Sequence, residues 1–433
     1  MVRRGSSVRV RLRASQVDAG PNCIRHSTRL GHGVVEQTRG ADSALAWLAY
    51  SRPMDFSLTD AQSDFVAAIR DFCRRECGTQ ERREELTKGY TEAHSDALYR
   101  KMAELGWLGV TIPEEYGGSG GGMLDACLFM EETSAGLAPI GGYATTLIVA
   151  GATQRFGTDD QKRDVLGGIA RGAVEAIAMT EPEAGSDVGS LTTSAERANG
   201  GFVIRGQKVF CSNARIARHI LVVCRTTKGE DKHQGLSMIW IPTDAPNLRI
   251  DPIDTMGGRE TAHLYLDDVE APGDALLGGL DQGWTQLMAG LNVERLILAA
   301  TMLGIGQRAF ADALAYVKER RQFGRPIGSF QALQHRLADL ATELEAARLM
   351  TYWVASKVDE DPDTMLPREA SMVKLFVTET ARKAALEGMQ LMGGYGYSSE
   401  YDMERLVRST LVSTIYGGTS EIQRNIIAKT LGL

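Results

Sequence analysis

The hydrophobic period of this chain changes twice along its length, and that order limits the folds open to it. From Met54 to about residue 175, apolar residues recur at three- and four-residue steps, the signature of a helix with one buried stripe. Between 201 and 269 the pattern changes: segments 201–213, 220–226, 236–242, 248–253 and 262–269 alternate or run apolar, rich in β-branched residues and separated by Gly, Pro and Asp. From about 284 long helical segments return, broken at 323–329, 359–367 and 393–397. Helices, then strands, then helices predict three packed domains and not a βαβ sheet. The expected boundaries are 54–175 for an N-terminal helical domain, 176–283 for a middle β domain and 284–433 for a C-terminal helical bundle.

Local chemistry sharpens these limits. Ser57 or Thr59 can cap a helix running through Phe65, Ile69 and Phe72, and Thr158 or Asp159 can cap another near Gln161. Five glycines in PEEYGGSGGG at 113–122 make that stretch a loop. No run of eighteen apolar residues occurs, so no membrane span is expected. Six cysteines show neither paired metal-type spacing nor a disulfide framework, which argues against a metal site and for a reducing, cytoplasmic setting. Cys73 and Cys77, one helical turn apart, read as incidental.

Net charge is −7 but unevenly spread. Residues 1–53 hold nine arginines, no lysine and three acids, a net +6 that leaves the remainder near −13. This Arg-rich head is either a transit peptide or upstream sequence included by an early start codon. The second is preferred, because no amphipathic period is sustained before Met54, and 1–53 is expected to be disordered or absent from the mature protein. The acidic remainder gives no electrostatic footprint for nucleic acid.

Glu294 is a carboxylate where a helix should be apolar. It falls inside the stripe of Leu287, Leu291, Leu298, Met302 and Ile305. Desolvation raises a carboxylate's pKa and poises it to take a proton from a weak carbon acid. An ion pair with Arg295 is the competing reading. Nearby, the GxGxxA pattern at 304–309 matches a dinucleotide fingerprint, but the helical period continues through Phe310, Leu314 and Val317 and no βαβ unit follows. Those glycines are expected to permit close helix packing. A GxSxG elbow, a Walker A loop and an HExxH pair are all missing.

Four separated motifs, MTEPEAGSD at 179–187, RQFGRPI at 321–327, QLMGGYGY at 390–397 and IYGGTSEIQRNIIA at 415–428, resemble those of the acyl-CoA dehydrogenase family of flavoproteins, in order and at family spacing from about Met54 to the C-terminus. The resemblance implies a mainly α fold with a central β-barrel-like domain and a C-terminal four-helix bundle. It also implies FAD as cofactor, with Met179, Thr180 and Ser186 at the flavin or thioester. KVFCSN at 208–213 resembles the family's KxWITN, with Phe210 in the tryptophan place and Ser212 in the threonine place. Arg320 and Phe323 match R-x-x-F-G, whose arginine neutralises the pyrophosphate. Gln331, Gln390 and Gly394 match further dinucleotide contacts, Thr419 and Glu421 fall in the last motif, and in the family the bundle contacts reach a neighbouring subunit's FAD. Without the resemblance, Arg320 reads as one more solvated charge.

The implied reaction removes the α-proton of an acyl-CoA while a β-hydride passes to flavin N5, leaving a trans-2-enoyl-CoA. The thioester oxygen is held by a flavin ribityl hydroxyl and a backbone N–H, here that of Gly417. Most relatives carry the catalytic glutamate where this chain has Gly417. A minority, including the isovaleryl-CoA and long-chain enzymes, place it on the long helix, and NVERLILA at 292–299 matches that arrangement at Glu294 and Arg295, with Arg295 toward substrate. Implied partners are an electron-transfer flavoprotein and three further copies in a homotetramer built as a dimer of dimers. An acyl-CoA oxidase on the same scaffold and a non-catalytic partner subunit are the alternatives. Small residues Gly141, Gly142 and Ala144 signal either room for an acyl group or helix packing.

Overall fold

A computed structural model describes residues 57–433, so the expectations for 1–53 lie outside the described residues. Helix α1 (Asp60–Cys77) starts where Thr59 accepts from Gln62 N at 3.2 Å while Gln62 Oε1 accepts from Thr59 N, a reciprocal cap. It buries Val66, Ile69, Phe72, Cys73 and Cys77 on one face. Helices α2 (Gln80–Leu86), α3 (Asp96–Glu104), α4 (Met123–Ala135) and α5 (Gly142–Phe156) complete the first layer. The glycine-rich stretch after Pro113 is a loop apart from one 3₁₀ turn, Glu114–Tyr116. Thr158 accepts from Gln161 N and caps the next helical turn.

The middle of the chain is a curled seven-stranded sheet: β1 (Glu175–Ala178), β2 (Ser194–Ala198), β3 (Gly201–Ser212), β4 (His219–Arg225), β5 (Leu236–Pro242), β6 (Leu248–Thr255) and β7 (Gly258–Ala271), in the order β1-β4-β2-β3-β7-β6 with β5 paired to β4. The sequence reading lacks β1 and β2. Both are short, and neither shows a clean alternation of its own.

Helix α6 (Gly283–Glu319) is the element shared by both helical layers. By length and composition it could cross a bilayer, yet it packs against α4, α7 (Gln331–Glu360) and α8 (Pro367–Met392) as a core helix. The dinucleotide-like glycines lie inside it. A Cβ on Gly304 would sit 2.1 Å from the Glu131 carbonyl oxygen of α4, so glycine is what lets α6 and α4 touch backbone to backbone. Helices α9 (Met403–Leu411) and α10 (Ser420–Thr430) close the bundle, and the break at 393–397 holds a one-turn helix, Gly394–Tyr397.

Candidate active site

The segment after β1 and the end of β3 are fastened together by a buried ion pair. Lys208, fully buried, donates to Met179 O at 3.0 Å and to Glu181 Oε1 at 2.9 Å. The Glu181 carboxylate also accepts from Thr192 N, Thr192 Oγ1 and Thr193 N at 2.7–2.9 Å. Burial pushes its pKa up, but the Lys208 charge and these hydrogen bonds outweigh burial and hold it at about 2. Val209 N donates to Thr180 O at 2.9 Å, so the two motifs stand side by side. Glu181 and Lys208 were missed as site residues, because their pairing crosses 27 positions of chain.

A β-bulge follows Lys208, where the register of β3 against β7 shifts. There Phe210 adopts φ +55°, a left-handed conformation uncommon for an aromatic residue, and its side chain is turned outward, 62% exposed. Asn213, also left-handed, donates to Gly141 O and Thr145 Oγ1 and ties this ledge to α5. Met179, Thr180 and Ser212 are half-buried beside it and Ser186 is exposed. An outward aromatic face, donor hydroxyls and open space around Gly185 fit a flat, hydrogen-bonding ring system such as a flavin.

Glu294 is buried in α6, and its Oε2 has no hydrogen-bond partner. Burial raises its pKa, opposed by the charges of Arg295 and Lys374. The expected competing ion pair is not formed: no salt bridge among the described residues includes Glu294, and Arg295 instead donates to Asn292 Oδ1 at 3.0 Å, its own pKa lowered by burial. Gly417, with φ +60°, faces this carboxylate; a Cβ there would lie 3.7 Å from Glu294 Oε1 and 2.4 Å from Leu298 Cδ1. Gly417 N–H donates to no group among the described residues. Its carbonyl and that of Gly418 accept from Gln423 Nε2 at 3.0 and 2.9 Å.

A cavity of about 400 Å³ opens farther along α6. Thr301 and Ile305 of α6, Leu137, Ala138, Gly141 and Ala144 form part of its wall. Thr301 lies about 10 Å along the helix axis from Glu294. Gly142 serves packing instead, since a Cβ there would meet Val174 at 2.9 Å.

The bundle residues expected at a neighbouring subunit's dinucleotide lie away from this ledge. Arg320 is exposed at the far end of α6, about 39 Å along the axis from Glu294. Beside it the hairpin of β8 (Arg321–Gln322) and β9 (Arg325–Pro326) turns through Phe323 and Gly324, both at positive φ, and leaves Phe323 93% exposed. Gln331, Gln390 and Gly394 are exposed too. Thr419 caps α10 by accepting from Ile422 N, and Glu421 is exposed in that helix's first turn. The residues expected at the cofactor therefore lie at two separate places on one chain. Among the described residues no cluster of His, Cys, Asp or Glu offers a metal site.

Three family profiles, described as the acyl-CoA dehydrogenase N-terminal, middle and C-terminal domains, match residues 59–173, 176–269 and 281–432. The chain belongs to the acyl-CoA dehydrogenase family. A probable acyl-CoA dehydrogenase of Bacillus subtilis is 38% identical over 384 residues, covering 87% of this chain and all of the relative. The crystal structure of an acyl-CoA dehydrogenase from Geobacillus kaustophilus superposes with a TM-score of 0.82 at 32% identity, covering 88% of this chain and 100% of that one. An FAD complex of PigA superposes at 0.81 with 28% identity over 88% and 100% of the two chains. As a member of the acyl-CoA dehydrogenase family the chain is an oxidoreductase with FAD as its cofactor.

Proposed function

We propose that the chain dehydrogenates an acyl-CoA thioester across its α and β carbons, with Glu294 as the base that removes the α-proton. The observation that carries this reading is the unpartnered, buried Glu294 carboxylate facing a glycine whose N–H is also unpartnered. A desolvated carboxylate without hydrogen bonds is a stronger base than one in water, and Glu294 is buried with Gly417 beside it. Gly417 N–H supplies a donor for the thioester oxygen as negative charge builds on it. When bound, FAD supplies the acceptor for the electron pair leaving the β-carbon. The Lys208–Glu181 lock sets the ledge of Met179, Thr180, Phe210 and Ser212 that holds the flavin ring, with Ser186 at its rim. Arg295 lines the thioester side.

The cavity walled by Ala138, Ala144, Thr301 and Ile305 receives the acyl chain. Arg320, Phe323, Gln331, Gln390 and Gly394 complete the FAD site of a second copy, because the length of α6 keeps them from the Glu294 end of their own chain. That geometry favours at least a dimer, and the family resemblance favours a tetramer with an electron-transfer flavoprotein as acceptor.

The test is anaerobic flavin bleaching with a panel of acyl-CoA thioesters, wild type beside Glu294→Gln. Some thioester should bleach the wild type, and the variant should bind it without reduction. Bleaching of both proteins at similar rates removes Glu294 as the base; bleaching of neither, with FAD bound, removes the activity.

A further inference from the structure

Lys374 is a charged side chain fully buried in the C-terminal bundle. It sits in α8 at 0% exposure among Ala370, Val373, Val377 and Ala381. Its ammonium donates to Ser413 O at 2.9 Å and to Gly418 O at 2.8 Å. Those two carbonyls bracket the turn that carries Gly417, and the ring of Tyr416, inside the same turn, lies 6.0 Å from Nζ. Burying a lysine without anionic contact is costly, and here burial holds its pKa down to about 8, only partly offset by Glu294. A methionine would fill the same space without that cost. The lysine stands where two of its N–H donors reach both ends of one turn.

Backbone bonds from Ile415 and Tyr416 N–H to Val412 O fix the first half of the turn, and the glycine half has none of its own among the described residues. Gly417 and Gly418 are adjacent residues at φ +60° and +82°, a conformation glycine adopts without preference over others. Gln423 holds the Gly417 and Gly418 carbonyls from the C-terminal side, but Ser413 O, on the N-terminal side, has Lys374 as its side-chain donor. Losing the Lys374 tie therefore removes the side-chain hold on Ser413 O and one of the two on Gly418 O, and leaves Gln423 as the tether of the glycine half. The consequence falls on the direction of the Gly417 N–H.

We propose that Lys374 is a positioning residue for the reaction, holding the 413–418 turn so that Gly417 N–H points at the thioester oxygen beside Glu294. It touches neither substrate nor cofactor. This rests on the proposed dehydrogenation, and its distinct claim is that the tie acts on enolate stabilisation and not on folding or binding.

The test compares Lys374→Met and Lys374→Gln with the wild type as FAD-loaded full chains. Three quantities are read: the rate of anaerobic bleaching by the thioester that reduces wild type fastest, the Kd for that thioester, and the enolate absorbance of bound acetoacetyl-CoA, whose acidic α-carbon deprotonates without net oxidation. Methionine removes both donors, and a roughly 100-fold slower bleaching with loss of the enolate band is expected, with Kd within about threefold of wild type. Glutamine is one bond shorter and reaches one carbonyl, so roughly a tenfold loss is expected, and this variant decides the matter if the methionine variant does not fold. Bleaching within about threefold of wild type in a folded variant overturns the proposal, as does a loss of Kd and thermal stability with the enolate band intact. If no thioester bleaches the wild type, the dehydrogenation reading fails and takes the proposal with it; if the wild type bleaches and the variants match it, this proposal alone fails.

Discussion

Gly417, in the turn before α10, and Glu294, on α6, face each other, and a Cβ on the glycine would lie 3.7 Å from Glu294 Oε1. The same Cβ would lie 2.4 Å from Leu298 Cδ1, inside any real contact distance. Glycine at 417 and glutamate at 294 are thus two halves of one arrangement: a Cβ at 417 would touch the carboxylate and overlap Leu298, which sits one helical turn from it. Gly417→Ala should slow flavin reduction by roughly tenfold or more, through the clash and the cost of φ +60° for a residue with a Cβ. Leu298→Ala removes the clash alone, so adding it to Gly417→Ala should return part of the rate. Equal effects of Gly417→Ala in both backgrounds would show that Leu298 is not the obstacle.

The pH dependence of reduction follows from the burial of Glu294. Its pKa is raised by desolvation, and the carboxylate is the active form, so the bleaching rate should climb as pH rises through a value above the ordinary carboxylate range. Stopped-flow reduction at saturating thioester across pH measures this limb. A limb at or below the ordinary range for glutamate would mean that water reaches Glu294 in the complex.

Glu131 carries a second buried carboxyl with no cationic partner in contact. It accepts from Gln307 Nε2 at 2.8 Å and Tyr352 OH at 2.9 Å, and burial pushes its pKa up to about 7. A raised folded pKa means the native state binds the proton more tightly than the unfolded chain. The stability this gives is complete below about 4.5 and is lost as pH rises to about 7, a change of about 3 kcal/mol. Glu131→Gln keeps the shape and removes the titration. The variant should match wild type in urea denaturation near pH 4.5 and exceed it at pH 8. A difference that is the same at both values would place the titration elsewhere.

The Lys208–Glu181 lock predicts coupled loss of stability and cofactor. Lys208→Met leaves Glu181 buried with its Thr192 and Thr193 donors but no cation, a change that costs about 3 kcal/mol when one partner of a buried pair is removed. The lock also fixes the ledge that carries Phe210, so FAD content after purification should fall. Retention of full FAD content in a destabilised variant would separate the lock from the flavin site.

Much of this was legible in the sequence, and the reasons differ residue by residue. Thr59 and Thr158 were readable as caps because a cap is a local event, complete within four residues. Glu294 was readable because a short carboxylate inside an apolar stripe has no way to reach water. Lys374 carries the same signature within Ala370, Val373 and Val377, but a lysine stem often lies along apolar surface with its ammonium in water, so sequence alone does not distinguish the two cases. Phe210 gave no sign of its left-handed backbone, since neither glycine nor asparagine marks position 210; the bulge is imposed by pairing with β7. Glu181 was quoted within a motif, yet that its carboxylate turns inward to Lys208 is a tertiary fact.

The separation of Arg320 from Glu294 by about 39 Å along α6 leads to a test of how the sites are assembled. If Arg320 and Phe323 serve the FAD of a second copy, then Glu294→Gln and Arg320→Ala fall on the same site of a mixed dimer. One site of the hybrid would contain both substitutions, and the other would contain neither. Each variant expressed alone should be nearly inactive, while co-expression with random pairing should restore roughly a quarter of wild-type activity, since half of the dimers are hybrids and half of their sites are intact. Tagging the two chains differently and isolating the doubly tagged species raises that to roughly half. Should the hybrid stay as inactive as its parents although both chains are present and FAD is bound, Arg320 acts within its own chain, and the second-copy assembly of the site is wrong.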